Sequence, residues 1–336
     1  MNVLITGGLG FIGGHFLRKI KDEKSFNQII VFDKMTYASN YGRLKSIFEK
    51  NNFILVKGDI QNKDNLMKVF QTYKPNIIIN FAAESHVDSS IQNPELFLDV
   101  NTKGTLNLLM EAKKLWIKEN NTLKSQYKKS VFYQISTDEV FGSLSFSSSF
   151  NEKSPYSPNS PYSASKASAD HFVKAFHKTF NLPTIISYCT NNFGPFQNKE
   201  KLIPKIISCV EKNKDIPIYA DGSNIRDWIY VEDHCNAIKL ILNKGKPGKE
   251  YCIGGSNEMS NLEICKLILE IIDKLIPDKR KRKYMDRIKF VEDRKGHDFR
   301  YSLRTSKIFS DHEIFKNSSF KENLKLTVSH FLNLKK

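Results

Sequence analysis

A glycine-rich turn directly after the first apolar segment constrains the fold of this chain most. Residues 2–5 are apolar enough for a short strand, and residues 6–13 follow at once with the sequence TGGLGFIG. Gly7, Gly10 and Gly13 fit a spacing at which glycines permit a tight turn and let the backbone approach a pyrophosphate. Apolar residues at helical spacing come next, so the segment predicts a strand, a turn and a helix whose N-terminus binds a dinucleotide.

A second apolar segment ends at Asp33, which stands 20 residues after Gly13. This is near the spacing of the carboxylate that binds the adenosine ribose hydroxyls in dinucleotide-binding folds. An acidic residue there repels a 2′-phosphate, so the sequence favours NAD over NADP, although Lys34 lies beside it.

Strand-like and helix-like segments continue to alternate through the first half of the chain. Apolar runs at residues 53–56, 76–81 and 131–135 are separated by segments with helical spacing, such as residues 101–115. Repeated strand and helix units of this kind predict an α/β fold with a doubly wound parallel sheet of the Rossmann type. Ligands of such a sheet lie beyond the carboxyl ends of its strands.

Reactive side chains follow one of these predicted strand ends. Residues 134–142 have the sequence QISTDEVFG, which places Thr137, Asp138 and Glu139 directly after a buried strand. Two adjacent carboxylates can have their pKa values driven apart, so that one acts as an acid and the other as a base. The same residue types also favour helix caps and solvated turns, and the motif alone leaves that alternative open.

Tyr162 and Lys166 stand four residues apart at the start of a predicted helix, and therefore on one helical face. An ammonium group near a phenol favours the phenolate and lowers its pKa from about 10 toward neutral pH. The pair predicts a general base at Tyr162. An ordinary surface pair has the same spacing, so this pattern is also ambiguous by itself.

Composition limits the classes of function. The formal net charge is +16, and the densest basic block is Lys279 to Lys283. Charge of this sign suits nucleic acid, an anionic membrane surface or an anionic small substrate. No aromatic residues alternate with the basic block, as a stacking platform for nucleic acid would require, so a diphosphate substrate is the better explanation.

Cysteine spacing and hydropathy indicate a cellular location. The five cysteines form no CxxC pair, and no segment offers the roughly 18 apolar residues of a membrane span. The N-terminus has no basic region of the kind that opens a signal peptide. We therefore expect a cytoplasmic protein without a metal site, and with neither a membrane nor a nucleic-acid partner.

Taken together, the motifs resemble those of the extended short-chain dehydrogenase/reductase family. Within it, the chain is similar to the nucleoside-diphosphate-glucose 4,6-dehydratases, whose best-known members act on dTDP-glucose and whose close relatives use UDP-glucose. The resemblance runs from Met1 to about Tyr301, with the motifs in the family's order. It is carried by the glycine-rich turn and by residues 82–88, 137–139, 160–166, 190–195, 200–204, 217–219, 226–228 and 293–297.

The resemblance implies a domain organisation. A Rossmann-type NAD-binding domain over residues 1–190 would carry the catalytic residues. A smaller substrate-binding lobe, mainly residues 191–336, would follow, with some of its segments returning to the first domain. Predicted helices at His234 to Leu242, Leu262 to Ile272 and Phe320 to Leu332 would build this lobe. The protein would be a homodimer, as family members commonly are.

The implied reaction is a redox-neutral dehydration of a nucleoside-diphosphate glucose, dTDP-glucose or UDP-glucose, with NAD retained. Tyr162 would take the proton of the C4 hydroxyl while NAD accepts the C4 hydride. Thr137 would bond the C4 oxygen, and Lys166 would hold the nicotinamide ribose and tune Tyr162. Glu139 would remove the C5 proton as Asp138 protonates the C6 hydroxyl, and the hydride would return to C6 to give the 4-keto-6-deoxy sugar.

Further binding residues follow from the same resemblance. The expected NAD-binding residues are Gly7, Gly10, Phe11, Ile12, Gly13, Asp33, Lys34, Asp59, Ile60, Ala82, Ala83, Ser85, Tyr162, Lys166 and Asn192. The expected substrate-binding residues are His86, Thr137, Asn191, Lys201, Leu202, Pro217, Tyr219, Arg226, Asn261, Asp293 and His297. Arg226 suits a phosphate because a guanidinium offers a planar fork of donors.

The sequence also shows two departures from the family and leaves two alternatives. Lys295 stands where family members usually carry proline, and the segment between Gly142 and Ser160 is shorter than in many of them. An NAD-dependent epimerase or decarboxylase of the same family would share the NAD-binding half, but would not need Asp138 and Glu139. The alternative of another class is a Rossmann-fold regulatory or nucleic-acid-binding module, in which a catalytic acid/base set would be superfluous.

Overall fold

A computed structural model of the protein describes residues 1–50, 52–146, 148–277, 283–306, 309 and 317–334. Of the basic block Lys279 to Lys283, only Lys283 lies within the described residues. No helix in these ranges is both long enough and apolar enough to cross a lipid bilayer.

Twelve strands are present in the described ranges. Their bounds are β1 Asn2–Thr6, β2 Gln28–Asp33, β3 Phe53–Lys57, β4 Ile77–Asn80, β5 Val131–Thr137, β6 Thr184–Cys189, β7 Asn191–Phe193, β8 Ile216–Tyr219, β9 Ile225–Tyr230, β10 Glu250–Ile253, β11 Glu258–Ser260 and β12 Ile288–Val291. Seven of them form a parallel sheet in the order β10-β6-β5-β4-β1-β2-β3. Two small sheets, β11-β9-β7 and β12-β8, lie outside it.

Helices connect most of these strands. Their bounds are α1 Phe11–Lys19, α2 Lys45–Phe48, α3 Lys63–Tyr73, α4 Val87–Gln92, α5 Pro94–Phe97, α6 Thr105–Trp116, α7 Pro161–Phe180, α8 Leu202–Glu211, α9 Val231–Lys244, α10 Asn261–Leu275 and α11 Phe320–Phe331. A π-helical segment, Leu98–Gly104, precedes α6, so the helix predicted from residue 101 begins earlier and irregularly.

Successive residues of each central strand point to opposite faces of the large sheet, because the side-chain period of a strand is two. Val3 and Ile5 belong to one core, which α1 and α9 cover, whereas Leu4 belongs to a second core, which α3, α6 and α7 cover. The predicted α/β fold with a doubly wound parallel sheet is therefore confirmed.

A third apolar core forms the smaller lobe. It joins Ile203 and Ile207 of α8 with Ile268 of α10 and Val328 of α11. The helix predicted over His234 to Leu242 extends as α9 and packs against α1 and the large sheet, so its expected place in the smaller lobe is wrong. Strand β10 likewise returns to the edge of the large sheet and pairs with β6.

Candidate active site

The carboxyl end of β5 carries a hydroxyl and two carboxylates. This strand ends at Thr137, and a single 3-10 turn, Asp138–Phe141, follows. Thr137 Oγ1 accepts a hydrogen bond from the Glu139 N–H at 3.3 Å and donates one to Asp138 Oδ1 at 3.2 Å. The turn therefore fixes both carboxylates beyond the end of a parallel strand, where such sheets bind ligands.

Burial is the main cause of the shifted pKa values of the two carboxyl groups. Asp138 is 2% exposed, and burial together with the charge of Glu139 raises its pKa well above the usual range. Burial also raises the pKa of Glu139, but the charges of Lys201, Arg226 and Arg294 act in the opposite direction. Asp138 is thus suited to hold a proton and Glu139 to accept one.

Tyr162 and Lys166 lie in the first two turns of α7. This helix begins at a capping box in which Ser160 and Ser163 bond each other's backbone N–H groups, and Pro161 occupies its first position. Lys166 is 4% exposed, and its Nζ donates a hydrogen bond to the carbonyl oxygen of Ile135 at 2.7 Å. The helix start therefore holds the ammonium group against β5.

Burial changes the pKa of both members of this pair. It raises the pKa of Tyr162 well above the usual value, and the charge of Glu139 adds to the effect while a side-chain hydrogen bond with Thr137 opposes it. Burial lowers the pKa of Lys166, and the charge of Asp170 opposes that shift. The expectation of a lowered Tyr162 pKa is wrong for the protein alone, because desolvation disfavours the charged phenolate.

The glycine-rich turn after β1 leaves no space for larger side chains. Gly7 has a φ of +65°, and a Cβ built on it would lie 2.7 Å from the Ala82 Cα. A Cβ on Gly13 would lie 2.5 Å from the Gly7 carbonyl oxygen. The N-cap of α1 is Gly10, and no side chain caps the helix. The first N–H groups of α1 are thus suited to bind an anion.

A cavity of about 280 Å³ lies between this turn, α7 and the end of β5. The expected NAD-binding residues along its wall are Gly7, Gly10, Phe11, Ile12, Gly13, Ala83, Ser85, Tyr162, Lys166 and Asn192. The wall also contains the catalytic candidates Thr137, Asp138 and Glu139, and Asn191, Lys201 and Leu202 from the expected substrate-binding set. The structure thus brings the catalytic candidates to one cavity, which we call the cofactor cavity.

The remaining expected NAD-binding residues lie outside this wall. They are Asp33, Lys34, Asp59, Ile60 and Ala82. The Asp33 carboxylate, at the end of β2, accepts hydrogen bonds from the Leu9 N–H at 2.9 Å and from Ser39 Oγ at 2.8 Å. Lys34 Nζ lies 2.8 Å from Asp59 Oδ2 in an ion pair. Asp33 is therefore fixed beside the glycine-rich turn through Leu9.

A second cavity of about 160 Å³, the substrate cleft, adjoins the first. The expected substrate-binding residues along it are His86, Asn191, Lys201, Leu202, Pro217, Tyr219, Arg226, Asn261 and His297. Glu139 lines both cavities, which therefore meet at this carboxylate. Thr137 lines only the cofactor cavity, and Asp293 lines neither, its carboxylate lying 2.7 Å from His297 Nδ1.

Hydrogen bonds within the protein hold two of the cleft's cations. Lys201 Nζ donates to the Ser85 carbonyl oxygen at 2.7 Å. The Arg226 guanidinium donates to the carbonyl oxygens of Ile225 and Asp298 at 2.7 and 2.9 Å. These bonds hold both positive charges in place, and they connect Arg226 with the segment that contains Asp298.

The cleft also contains residues outside the expected substrate-binding set. Among them are Asp88, Glu200, Trp228, Arg294, Asp298 and Tyr301. Arg294 directly follows the predicted Asp293, and Glu200 directly precedes the predicted Lys201. Each could therefore have been inferred from its neighbour in the sequence. Tyr301 packs under the Arg226 guanidinium, 4.5 Å from it, and belongs to no motif of its own.

Comparisons with known proteins point to one family. A model of the family described as GDP-mannose 4,6 dehydratase matches residues 4–326. A dTDP-glucose 4,6-dehydratase from Haemophilus influenzae is 43% identical over 335 residues, which are 99% of this chain and 98% of that protein.

Solved structures agree with this result. The dTDP-glucose 4,6-dehydratase from Streptomyces venezuelae, crystallised with NAD bound, has a TM-score of 0.87 at 36% identity and covers 99% of this chain and 98% of its own. The dTDP-glucose 4,6-dehydratase from Bacillus anthracis, in complex with NAD, has a TM-score of 0.83 at 39% identity and covers 100% of this chain and 97% of its own.

Proposed function

The chain belongs to the GDP-mannose 4,6-dehydratase family, and from this premise we propose that it dehydrates dTDP-glucose to the 4-keto-6-deoxy sugar with NAD as a retained cofactor. The observation that carries the proposal is the Asp138–Glu139 pair. Glu139 lines both cavities, and Asp138 lines the cofactor cavity together with Tyr162. Elimination of water across two carbons needs an acid and a base at neighbouring positions. The relatives named dTDP-glucose 4,6-dehydratase support the choice of substrate.

The residues of the cofactor cavity fit NAD. The uncapped N-terminus of α1 suits the pyrophosphate. Asp33 stands at the end of β2, where the ribose hydroxyls of a dinucleotide bind, and Lys166 at the other end of the cavity suits the nicotinamide ribose. When bound, NAD supplies the acceptor and later the donor of a hydride, and its positive ring favours a neighbouring phenolate.

The chain's own residues move the protons. Tyr162 takes the proton of the C4 hydroxyl, and Thr137, which donates a hydrogen bond to Asp138 and lines the same cavity as Tyr162, orients the C4 oxygen. The ketone formed at C4 acidifies the C5 hydrogen, which Glu139 removes and later returns. Asp138, whose pKa burial raises well above its usual range, protonates the departing C6 hydroxyl. Thus the two carboxyl groups have opposite protonation states when the elimination begins.

The substrate cleft suits a nucleoside diphosphate. Lys201, Arg226 and Arg294 supply three positive charges along it, which suit the negative charge of a diphosphate. Tyr219 and Pro217 offer flat apolar surface for a pyrimidine at the same wall. The net charge of +16 is explained in part by this anionic substrate.

An NAD-dependent epimerase or decarboxylase of the same family is the second candidate. It would use Tyr162 and Lys166 in the same way, because it also oxidises a sugar hydroxyl. It would not need an acid and a base beside the C5 and C6 carbons, so the buried Asp138 next to Glu139 favours the dehydratase.

We also propose how the chain divides and where it works. The NAD-binding part would comprise residues 1–190 together with α9 and β10, and the rest would mainly bind substrate. NAD should then slow hydrogen exchange in the first part and dTDP in the second. The five free cysteines suit a reducing cytoplasm, which cell fractionation would test.

A homodimer is proposed from an apolar surface. Leu98, Met110 and Phe172 are 45%, 41% and 38% exposed, and they lie on the π-helical segment, α6 and α7, which pack side by side. A second copy covering these helices would remove the surface from water. Phe172→Asp should yield a monomer in analytical ultracentrifugation, whereas Phe290→Asp, on the exposed β12, should leave the dimer intact.

Deuterium labelling tests the proposed reaction. Substrate deuterated at C4 should give product that carries the label in its new methyl group, because the hydride taken from C4 returns to C6. In heavy water, C5 should gain solvent deuterium, since a carboxylic acid such as Glu139 exchanges its proton. Nuclear magnetic resonance of the product measures both positions. A label retained at C4 would identify an epimerase, and a label found in the solvent would reject both reactions.

A further inference from the structure

The face of α7 that carries Tyr162 and Lys166 continues to a third polar residue that the proposed reaction does not use. Asp170 follows Lys166 by four residues, so the three side chains lie in a row along one side of the helix. Asp170 is 0% exposed. A carboxylate without any contact with water is stable only where hydrogen bonds or a positive charge stabilise it.

One hydrogen bond connects Asp170 with the cofactor cavity. Ser136 Oγ donates to Asp170 Oδ2. Ser136 precedes Thr137 in β5 and lines the cofactor cavity. Asp170 Oδ1 has no hydrogen-bond partner among the described residues. Burial raises the pKa of Asp170, and the charge of Lys166, one helical turn away, is the largest influence that opposes this shift.

Two tyrosines connect Asp170 with the protein surface on the other side. Tyr156 OH donates to Asp170 Oδ2 at 3.4 Å and lies 2.5 Å from Tyr188 OH. Tyr188 OH donates to Glu250 Oε2, which also accepts an ion pair from Lys174 Nζ at 2.9 Å. The side chains of Glu250 and Lys174 are 23% and 29% exposed. A second row of residues, joined by these contacts, thus runs from the cofactor cavity to solvent. It consists of Ser136, Asp170, Tyr156, Tyr188 and Glu250.

The number of hydrogen atoms in this row leaves room for one additional proton. Four oxygen–oxygen contacts join Ser136, Asp170, Tyr156, Tyr188 and Glu250. The three hydroxyl groups supply three hydrogens, so all four contacts are hydrogen bonds only when one carboxyl group is protonated. Consistent with this, burial raises the pKa of Asp170 to about 6.

The charges of Asp170 and Lys166 influence each other. The Lys166 ammonium is buried, and burial lowers its pKa, while the Asp170 charge is the largest influence that raises it. The other charged or titratable groups around Asp170 are Lys174 on α7, Tyr156 in the preceding segment, Tyr188 on β6 and Glu250 on β10.

We propose that Asp170 is a positioning residue of the catalytic helix: its carboxylate is the counter-charge that keeps the buried Lys166 ionised, and the Tyr156–Tyr188–Glu250 row exchanges its proton with solvent. The inference rests on the proposed role of Tyr162 as the base. Below about pH 6, Asp170 holds a proton and Lys166 loses its counter-charge. As pH rises through that value, Asp170 ionises, the ammonium is retained, and the phenolate of Tyr162 is favoured.

The pH profile of kcat/KM tests the proposal. Asp170→Asn is neutral at every pH, so the phenolate should form at higher pH. The acid limb of the profile, where kcat/KM rises with pH, should therefore move upward by about one pH unit. This is the low end of the effect of a nearby opposite charge on a pKa. That shift corresponds to roughly a tenfold loss of kcat/KM on the acid limb. Asp170→Glu keeps the charge and should restore the limb. Tyr156→Phe removes one donor to Asp170 and should shift the limb in the same direction by less.

Tyr133→Phe is the matched control, because Tyr133 is 0% exposed on the same strand as Ser136 but its hydroxyl lies outside the row. Its acid limb should coincide with that of the unmodified protein, and thermal unfolding should show that every variant is folded. An unmoved limb in Asp170→Asn, or an equal loss at every pH, would overturn the proposal. If Asp170→Asn does not fold, the pH profile of Tyr156→Phe decides instead. A shifted acid limb would support the proposal, and an unmoved one would overturn it.

Product analysis keeps this test separate from the proposed function. If the unmodified protein returned an epimer instead of the 4-keto-6-deoxy sugar, the dehydratase proposal would fail. The pH profiles of that reaction would still decide the role of Asp170, because Tyr162 and Lys166 would serve an epimerase as well.

Discussion

The Arg294 guanidinium forms an ion pair with the Asp88 carboxylate, in which Arg294 Nε lies 2.6 Å from Asp88 Oδ1. Asp88 belongs to α4, just beyond the end of β4, whereas Arg294 follows β12 in the second half of the chain. Tyr219 OH donates to the same carboxylate at 3.2 Å, and its ring lies 5.2 Å from the guanidinium. The pair joins two walls of the substrate cleft, so Asp88 would compete with a diphosphate for Arg294.

Variants of this pair should change KM in opposite directions. Arg294→Ala should raise KM for dTDP-glucose about tenfold, because a hydrogen bond to a charged group contributes about 1.5–3 kcal/mol. Asp88→Asn should lower KM about two- to threefold, because a neutral amide competes less strongly than a carboxylate for Arg294. Steady-state kinetics measures both, and kcat should change little. Equal changes in the same direction would show that the pair only stabilises the cleft.

Gly13→Ala should weaken NAD binding about tenfold or more. The added Cβ would lie 2.5 Å from the Gly7 carbonyl oxygen, so the turn that holds the pyrophosphate must shift. Gly42→Ala is the control, because its Cβ would meet nothing closer than Asn40 Oδ1 at 3.8 Å. Titration calorimetry with NAD gives the affinities. Equal affinities of the two variants would remove the glycine-rich turn from the cofactor site.

The sequence predicted what depends on local periodicity. Apolar alternation and the glycine spacing located β1, α1 and β5, and the four-residue spacing of Tyr162 and Lys166 placed them on one face of α7. Local periodicity does not reveal how distant segments pack against one another. The helix α9 is an example. Its apolar face would suit either lobe, and only the structure shows that it packs in the same core as α1.

Burial and long-range pairing also decided the electrostatics of the site. The pKa of Tyr162 depends on how fully the phenol is removed from water, which the spacing to Lys166 does not reveal. The ion pair of Arg294 with Asp88 joins residues that are 206 positions apart. Neither residue type nor motif indicates such a partner, so this part of the cleft required the structure.

Tyr162→Phe should lower kcat by about 10²–10⁴, the usual contribution of a positioned acid or base. NAD binding should persist, because the phenyl ring keeps the wall of the cofactor cavity. Tyr127→Phe is the control, since Tyr127 is buried in a 3-10 turn and lines neither cavity. Turnover of purified Tyr162→Phe near that of Tyr127→Phe would mean that another group takes the C4 hydroxyl proton.

Thymidine and uridine nucleotides differ by one ring methyl and by the 2′-hydroxyl of the ribose. A methyl group in an apolar pocket contributes about 1–3 kcal/mol to discrimination. We therefore expect kcat/KM to be about 10–200-fold higher for dTDP-glucose than for UDP-glucose. Mass spectrometry of both reactions run side by side measures the ratio. A ratio near one, or a preference for UDP-glucose, would reject the thymidine nucleotide as the specific substrate.

The double variant Asp138→Asn/Glu139→Gln should separate oxidation from elimination. Tyr162, Thr137 and Lys166 serve the oxidation at C4, so the variant should still complete that step. It lacks the base for the C5 proton and the acid for the C6 hydroxyl, so turnover should stop there. Stopped-flow absorbance should then show reduced nicotinamide that accumulates and persists, with little 6-deoxy product.

A paired control excludes a general effect of lost negative charge. Asp22→Asn/Glu49→Gln removes two exposed carboxylates from the surface and should give normal product without a lasting absorbance change. Single variants divide the roles further. Glu139→Gln alone should prevent uptake of solvent deuterium at C5, whereas Asp138→Asn alone should allow that exchange while slowing loss of the C6 hydroxyl. Normal 6-deoxy product from the double variant would remove both carboxyl groups from the mechanism.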